Sequence, residues 1–236
     1  MSSLQASAVP EPSVRGRLAG AVVTVVAAVV LSACGADEPR ATTSGFTESN
    51  PDGMHGAVLT DPYVVPDVEL TATDGDQFSL TGDTTAPVTL VFFGYTHCPD
   101  ICQIVMADIA SALTRLDEAD RDSVEVLFVT SDPARDDPAT LREYLDRFDP
   151  RFEGLTGNLA TIVEAATALG VPIEKGAKMP SGGYEVTHGT QIVAIDESDR
   201  SPLVWTEGTS AALLAEDLDL LLTTGLPDQT ESDPAS

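Results

Sequence analysis

The first block of apolar positions is a single unbroken run. Leu18–Leu31 (LAGAVVTVVAAVVL) has Thr24 as its one polar member and follows a polar stretch ending in Val14-Arg15-Gly16-Arg17. That is the length of a secretory signal core, and it falls short of the roughly 18 residues that a membrane-spanning helix needs. Residues 35–52 then turn polar and rich in Pro, Ser, Thr and Gly, which predicts a disordered tether. Beyond it the pattern becomes periodic. Glu69–Leu80 reads as a β-hairpin around Asp74-Gly75, and Val88–Phe93 (VTLVFF) as a buried central strand. Apolar residues at Ile101, Ile104, Val105, Ile109, Ala112, Leu113 and Leu116 predict a helix over 101–119. A strand over 124–130, a helix over 138–147 and a helix over 158–169 capped by Asn158 follow. Strands over 190–195 and 203–207, separated by the polar turn Asp196–Pro202, and a helix over 210–222 close the pattern. Strands alternating with helices predict an α/β fold, a mixed central sheet with helices on both faces.

Composition narrows the reading. The 236 residues are 42% hydrophobic, enough for one core and its tails, and only 5% aromatic, so Val, Leu, Ile and Ala must fill that core. A net charge of −26 is the opposite of what phosphate neutralisation requires, which excludes nucleic acid as a partner. An acidic surface raises the local concentration of cations, a property compatible with metal handling that does not by itself indicate it.

The end of the apolar run, Leu31-Ser32-Ala33-Cys34-Gly35, is similar to the lipobox of bacterial lipoproteins. The resemblance implies cleavage before Cys34, a diacyl anchor on its thiol, and a domain held outside the cell on the outer face of the membrane. The expected organisation is a signal peptide over 1–33, a lipidated cysteine and tether over 34–53, one domain over 54–226, and an acidic disordered tail over 227–236.

With Cys34 spent on lipid, Cys98 and Cys102 are the remaining thiols of the chain. They lie where the buried strand ends, the chain turns at Gly94 and a helix begins, with Pro99 suited to a first helical turn because it lacks an N–H. A spacing of four is expected to set both sulfurs on one helix face, where the positive end of the helix dipole favours thiolate. An extracytoplasmic location permits a disulfide between them. Two chemistries stay open on these residues, a redox dithiol and a soft-metal site. Redox dithiols of the thioredoxin kind use two intervening residues, and here there are three.

The full segment FFGYTHCPDIC, Phe92 to Cys102, is very similar to the signature of the SCO/SenC family of copper proteins, which serve cytochrome c oxidase assembly. In the same order along the chain, VLFVTSDPAR (Val126–Arg135) with Asp137-Pro138, FDPRFEGLT (Phe148–Thr156), LGVPIEK (Leu169–Lys175) and YEVTHGT (Tyr184–Thr190) resemble further family landmarks. The resemblance spans about residues 54–222. It implies a thioredoxin-like fold with an added N-terminal β-hairpin and a copper site of Cys98, Cys102 and His188, lying at the sheet edge where the first strand meets its helix. Thiolates suit Cu(I) and imidazole suits both Cu(I) and Cu(II), so this set can hold either state. The segment Val186–Gln191 has no proline where thioredoxins carry a cis-proline facing the dithiol, and offers His188 instead, which argues for metal.

The chain departs from the family at Thr187, where Asp is common, and at Gly189, where Ser or Thr is usual, while Asp100 keeps a carboxylate between the cysteines. Other residues drew attention. His97 neighbours Cys98 but is expected to point away from it. Met54 and His55 are copper-friendly yet expected to be neutral. Met179 sits in an expected surface loop, Gly176–Gly183. Asp132 and Arg135 are expected to order the loop after their strand. The expected function is a copper metallochaperone that delivers its ion to cytochrome c oxidase subunit II. The alternative is an enzyme, an extracytoplasmic thiol–disulfide oxidoreductase that reduces the oxidase cysteines.

Overall fold

The computed structural model describes residues 53–178 and 184–225. The leader, Cys34, the tether, Met179 and the acidic tail lie outside the described residues. Among the described residues ten strands and five helices follow in order: β1 (Ala57–Val64), β2 (Glu69–Thr71), β3 (Gln77–Ser79), β4 (Val88–Gly94), α1 (Ile101–Leu113), α2 (Glu118–Asp122), β5 (Val124–Thr130), α3 (Pro138–Leu145), β6 (Glu153–Leu155), α4 (Leu159–Ala168), β7 (Ile173–Lys178), β8 (Tyr184–His188), β9 (Ile192–Ile195), β10 (Arg200–Trp205) and α5 (Ala211–Thr224). No helix among the described residues is long and apolar enough to cross a membrane.

Six strands form one mixed sheet in the order β1-β10-β9-β4-β5-β6, with β4, β5 and β6 parallel and β9, β10 and β1 antiparallel to their neighbours. The strand VTLVFF, extended by Gly94, is β4, and all its residues are buried, because helices or a hairpin cover both faces of the sheet. Alternation sorts its side chains. Leu90 and Phe92 join the α1, α3 and α5 face, while Val91 and Phe93 join the face covered by α4 and the β2–β3 hairpin. The expected α/β sandwich with an added hairpin is thus present.

The boundaries moved for local reasons. The long helix expected over 101–119 stops at Leu113: Arg115 and Leu116 donate to carbonyls three residues back, and Asp117 starts α2 by accepting from Asp120 N at 3.0 Å. Strand β10 runs over 200–205 and not 203–207, since the turn closes earlier, with Asp196 N on Arg200 O at 2.9 Å and Asp199 at a φ of 57°. Pro202 therefore lies inside a strand. It is tolerated because β1 and β10 lose register between Val58↔Leu203 and Tyr63↔Ser201, so the missing N–H falls at a bulge. Asn158 caps α4 as expected, accepting from Ala160 N at 2.8 Å.

Strands β1, β6, β7 and β8 were not foreseen. The expected loop Gly176–Gly183 begins in fact as strand, because Gly176–Lys178 belong to β7, which pairs with β8 as a separate two-stranded ribbon.

Candidate metal centre

Strand β4 stands inside the sheet, between β9 and β5. The cysteine segment therefore leaves from the C-terminal end of a central strand, as expected, at the rim of the sheet where that strand meets its helix. Such an end, beside the point where strand order reverses, is where open α/β sheets hold ligands. The exit is clamped. Gly94 O accepts from Ser131 N at 2.6 Å and from Ser131 Oγ at 3.0 Å, joining the ends of β4 and β5. A side chain at Gly94 would press into Phe128 and Phe92, whose ring carbons stand 2.8 and 2.9 Å from the Cβ position.

The chain then makes a turn, with Cys98 N donating to Tyr95 O at 3.1 Å. Helix α1 begins only at Ile101, so Cys98 is in the turn and Cys102 alone is helical, which corrects the expectation of two cysteines on one helix face. Pro99 accordingly precedes the helix. The N-cap, Asp100, makes no side-chain capping bond. Instead Cys102 N donates to Cys98 Sγ at 3.4 Å, so a sulfur takes the amide that a capping oxygen usually takes.

Cys98 and Cys102 stand as two thiols, 5% and 0% exposed. Burial, and then the neighbouring Cys98 side chain, push the Cys102 thiol well above its ordinary value. Burial, followed by the charges of Cys98 and Cys102, also raises the Tyr95 phenol, while Arg135 pulls the other way. Tyr144, on α3, is likewise raised by burial first, and then by Cys102 ahead of Cys98. Two phenols and the Cys102 thiol, held in their neutral forms by burial, stand where a cation can enter by displacing a proton.

His188 is the last residue of β8, where its backbone pairs with Ile173. Gly189 N donates to Pro172 O at 2.9 Å, and Gln191 Nε2 donates to Gly170 O at 2.7 Å. Strand β9 opens at Ile192, opposite Phe92 of β4. The chain leaving His188 thus enters the sheet at the end from which Cys98 departs. The unusual Gly189 has a local explanation: a Cβ there would meet the amide of Gln191 and, at 3.1 Å, Pro172 Cδ. Among the described residues no group of three or more His, Cys, Asp or Glu side chains gathers to hold a metal, and the side chain of His188 lies outside them.

The remaining candidates fall into place. His97 is 58% exposed on the outer side of the turn, its Nδ1 2.9 Å from Thr96 Oγ1. Met54 is buried in the core, and His55 Nε2 lies 3.0 Å from Glu216 Oε2. Arg135 pairs with Asp132 and lies over the Tyr95 ring, 5.9 Å from its centroid, so both order the loop as expected. The sequence reading missed two buried carboxylates. Asp217 accepts from His55 N, Gly56 N and Trp205 Nε1, at 2.8, 2.8 and 2.6 Å. Asp136, within the SDPARDDP loop, accepts from Thr96 beside the cysteines.

The profile of the SCO1/SenC family matches residues 58–223. A mitochondrial SCO2 homolog of Danio rerio is 37% identical over 108 residues, which are 45% of this chain and 39% of that protein, so the chain spans less than half of this relative. Copper-bound ScoI of Bradyrhizobium japonicum is similar at a TM-score of 0.58 and 32% identity, over 68% of this chain and 97% of that one. Apo Sco1 of Thermus thermophilus is similar at a TM-score of 0.63 and 30% identity, over 72% and 96%. These neighbours share the thioredoxin-like fold.

Proposed function

The chain belongs to the SCO1/SenC family, and we propose on that footing that it is a copper metallochaperone whose one ion is held by Cys98, Cys102 and His188. The observation that carries the reading is the pair of buried thiols at the end of β4, with the Cys102 amide on the Cys98 sulfur. Two soft sulfurs close together are donors for Cu(I), and an imidazole brought by β8 adds a donor that also suits Cu(II). Three protein donors leave a coordination position open for transfer. Copper is the cargo. The chain's part is to keep two thiols shielded and poised, to give up their protons on loading, and to present the ion at a sheet end that a partner can reach.

Sco proteins are described as cytochrome c oxidase assembly proteins, and the acceptor proposed here is the copper centre of oxidase subunit II. A diacyl anchor on Cys34 would hold the domain at the outer face of the membrane, and a tether of residues 35–53 would keep it within reach of a membrane-bound acceptor. Confinement to one surface raises the encounter rate without any new contact.

The test is anaerobic copper titration of the reduced chain against Cys98→Ser and His188→Ala, with metal counted per chain. One tightly held ion, lost in both variants, is the expected result. The second reading, a thiol–disulfide oxidoreductase, is favoured by the same two thiols standing side by side. It predicts disulfide turnover that survives His188→Ala and is lost in Cys98→Ser, with no stable copper.

A further inference from the structure

Resting on the copper reading above, we propose that Asp136 is a positioning residue for the metal centre: its buried carboxylate sets the place of Cys98 by holding Thr96 against the end of β5. Asp136 is 0% exposed. Its Oδ2 accepts from Thr96 N at 2.9 Å and from Thr130 Oγ1 at 2.7 Å, and its Oδ1 accepts from Thr96 Oγ1 at 2.6 Å. The backbone that carries it is fixed as well. Asp136 N donates to Asp132 O at 3.1 Å, and Asp136 O accepts from Thr156 Oγ1 at 2.9 Å. The carboxylate is therefore part of a frame made by the end of β5, the 132–136 turn and the residue after β6. From that frame it reaches across to the loop between β4 and α1.

An anion buried without compensation is strongly unfavourable, and here its donors supply charge-assisted bonds, which are shorter and stronger than neutral ones. Two of the three come from one residue, Thr96, through both its backbone and its side chain. A loop grasped at two points can neither slide nor rotate about the contact. Thr96 lies within the turn closed by Cys98 N on Tyr95 O, so fixing Thr96 fixes the approach of Cys98 to the Cys102 amide. Asp132 and Arg135, the residues that the sequence singles out in this stretch, are engaged with one another. The group that touches the cysteine loop is the next carboxylate along. Asp136 acts through Thr96 and does not coordinate the ion. Groups that orient metal ligands in this way typically change metal affinity by about 10- to 100-fold when replaced.

The experiment uses the full-length chain, reduced and in detergent, with three readouts: Cu(I) affinity by competition with a chromophoric chelator, the Cu(II)–thiolate absorption band, and the melting temperature of the apo protein. Asp136→Asn keeps the shape of the side chain but points an amide donor where an N–H or O–H already donates. It is expected to weaken copper binding about 10- to 100-fold and to displace the thiolate band. Thr96→Ser retains both bonds and is expected to match the wild type in both respects, whereas Thr96→Val loses the hydroxyl bond and shifts both in the direction of Asp136→Asn. If Asp136→Asn does not fold, Thr96→Val and Thr130→Val each remove one of the three bonds and carry the same test. An Asp136→Asn chain with wild-type affinity and an unmoved band overturns the proposal. So does weaker binding with an unmoved band and a lowered melting temperature, which is general destabilisation. A wild-type chain that takes up no copper brings down the copper reading itself, a result distinct from a wild type that binds and a variant that equals it.

Discussion

The cysteine half of the centre hangs from the middle of the six-stranded sheet, whereas the histidine half stands on a two-stranded ribbon. Behind Cys98 and Cys102 lie β4, buried throughout, the Ser131 clamp on Gly94 and the Asp136 grip on Thr96. Behind His188 lies β8, which pairs with β7, and the residues after it are tied to the α4–β7 connection by Gly189 N on Pro172 O and Gln191 Nε2 on Gly170 O before the chain enters β9. One half is set by the core of the protein and the other by a short connection at its rim. The division suits a carrier. In the proposed centre two buried sulfurs would hold the ion, and the third donor would come from an element whose place depends on a few bonds.

The largest effects to be expected break the two halves separately. Cys102→Ser and His188→Ala should each abolish stable one-to-one copper binding, measured by chelator competition. They should differ in the apo protein. Serine at position 102 buries a hydroxyl in an apolar setting, which costs about 1–3 kcal/mol and lowers the melting temperature. His188→Ala should leave the melting temperature near that of the wild type. Equal destabilisation by both would mean that the ribbon is as much a part of the core as β4.

Next in size is a dependence on pH that belongs to the cysteine half. Burial holds the Cys102 thiol above its ordinary 9.0, so it stays protonated through the neutral range and must lose that proton when copper binds. Copper affinity should therefore rise at least tenfold per pH unit, roughly 100-fold between pH 6 and pH 8 for one released proton. Affinity that is flat across that window would place the displaced proton elsewhere. Apo stability runs the other way. A pKa raised by folding contributes stability in full below the unfolded value and loses it as pH climbs towards the folded one. With Cys102 and Tyr144 both raised, from 9.0 and 10.0, the apo melting temperature should hold to about pH 8 and fall above pH 9. Cys102→Ser should remove the earlier part of that fall.

The same contrast governs what could be read from the sequence. Strands β4 and β5 and helices α1, α3, α4 and α5 were legible because each is long and either continuously apolar or helically periodic. The missed elements carry no such signal. β1 is broken by Asp61-Pro62 and survives as an edge strand with a bulge. β6 has three residues around Gly154, where a Cβ would come within 2.9 Å of Leu145 Cδ1. β7 is interrupted by Gly176. The thiols were legible as chemistry but not as geometry, since Pro99 and the spacing suggested a helix that in fact begins three residues after Cys98. Asp136 and Asp217 were invisible because their importance lies in partners distant along the chain, 40 residues away for Thr96 and 12 for Trp205.

A smaller effect should come from the root of the ribbon. Gln191→Ala removes the 2.7 Å bond to Gly170 O, a neutral bond worth about 1 kcal/mol, and empties the space beside Gly189. Copper affinity should fall a few-fold and the apo melting temperature by no more than a few degrees, because the bond places the residues that lead out of β8. Loss of stability without loss of affinity would refute the idea that Gln191 places the histidine half.

The smallest effect on the metal, and the sharpest control, is Asn158→Ala. Asn158 caps α4, whose Ile162, Ala165 and Ala166 pack on the face of the sheet opposite to the one that α1 covers. Loss of such a cap costs about 1 kcal/mol. The apo protein should melt a few degrees lower, yet copper affinity and the thiolate band should match the wild type, because neither the clamp at Gly94 nor the grip on Thr96 depends on that helix. The value of the variant is that it destabilises the fold about as much as Gln191→Ala is expected to weaken the site. If Asn158→Ala also loosened copper, affinity would follow overall stability, and the separation of a core-set half from a rim-set half would have no physical content.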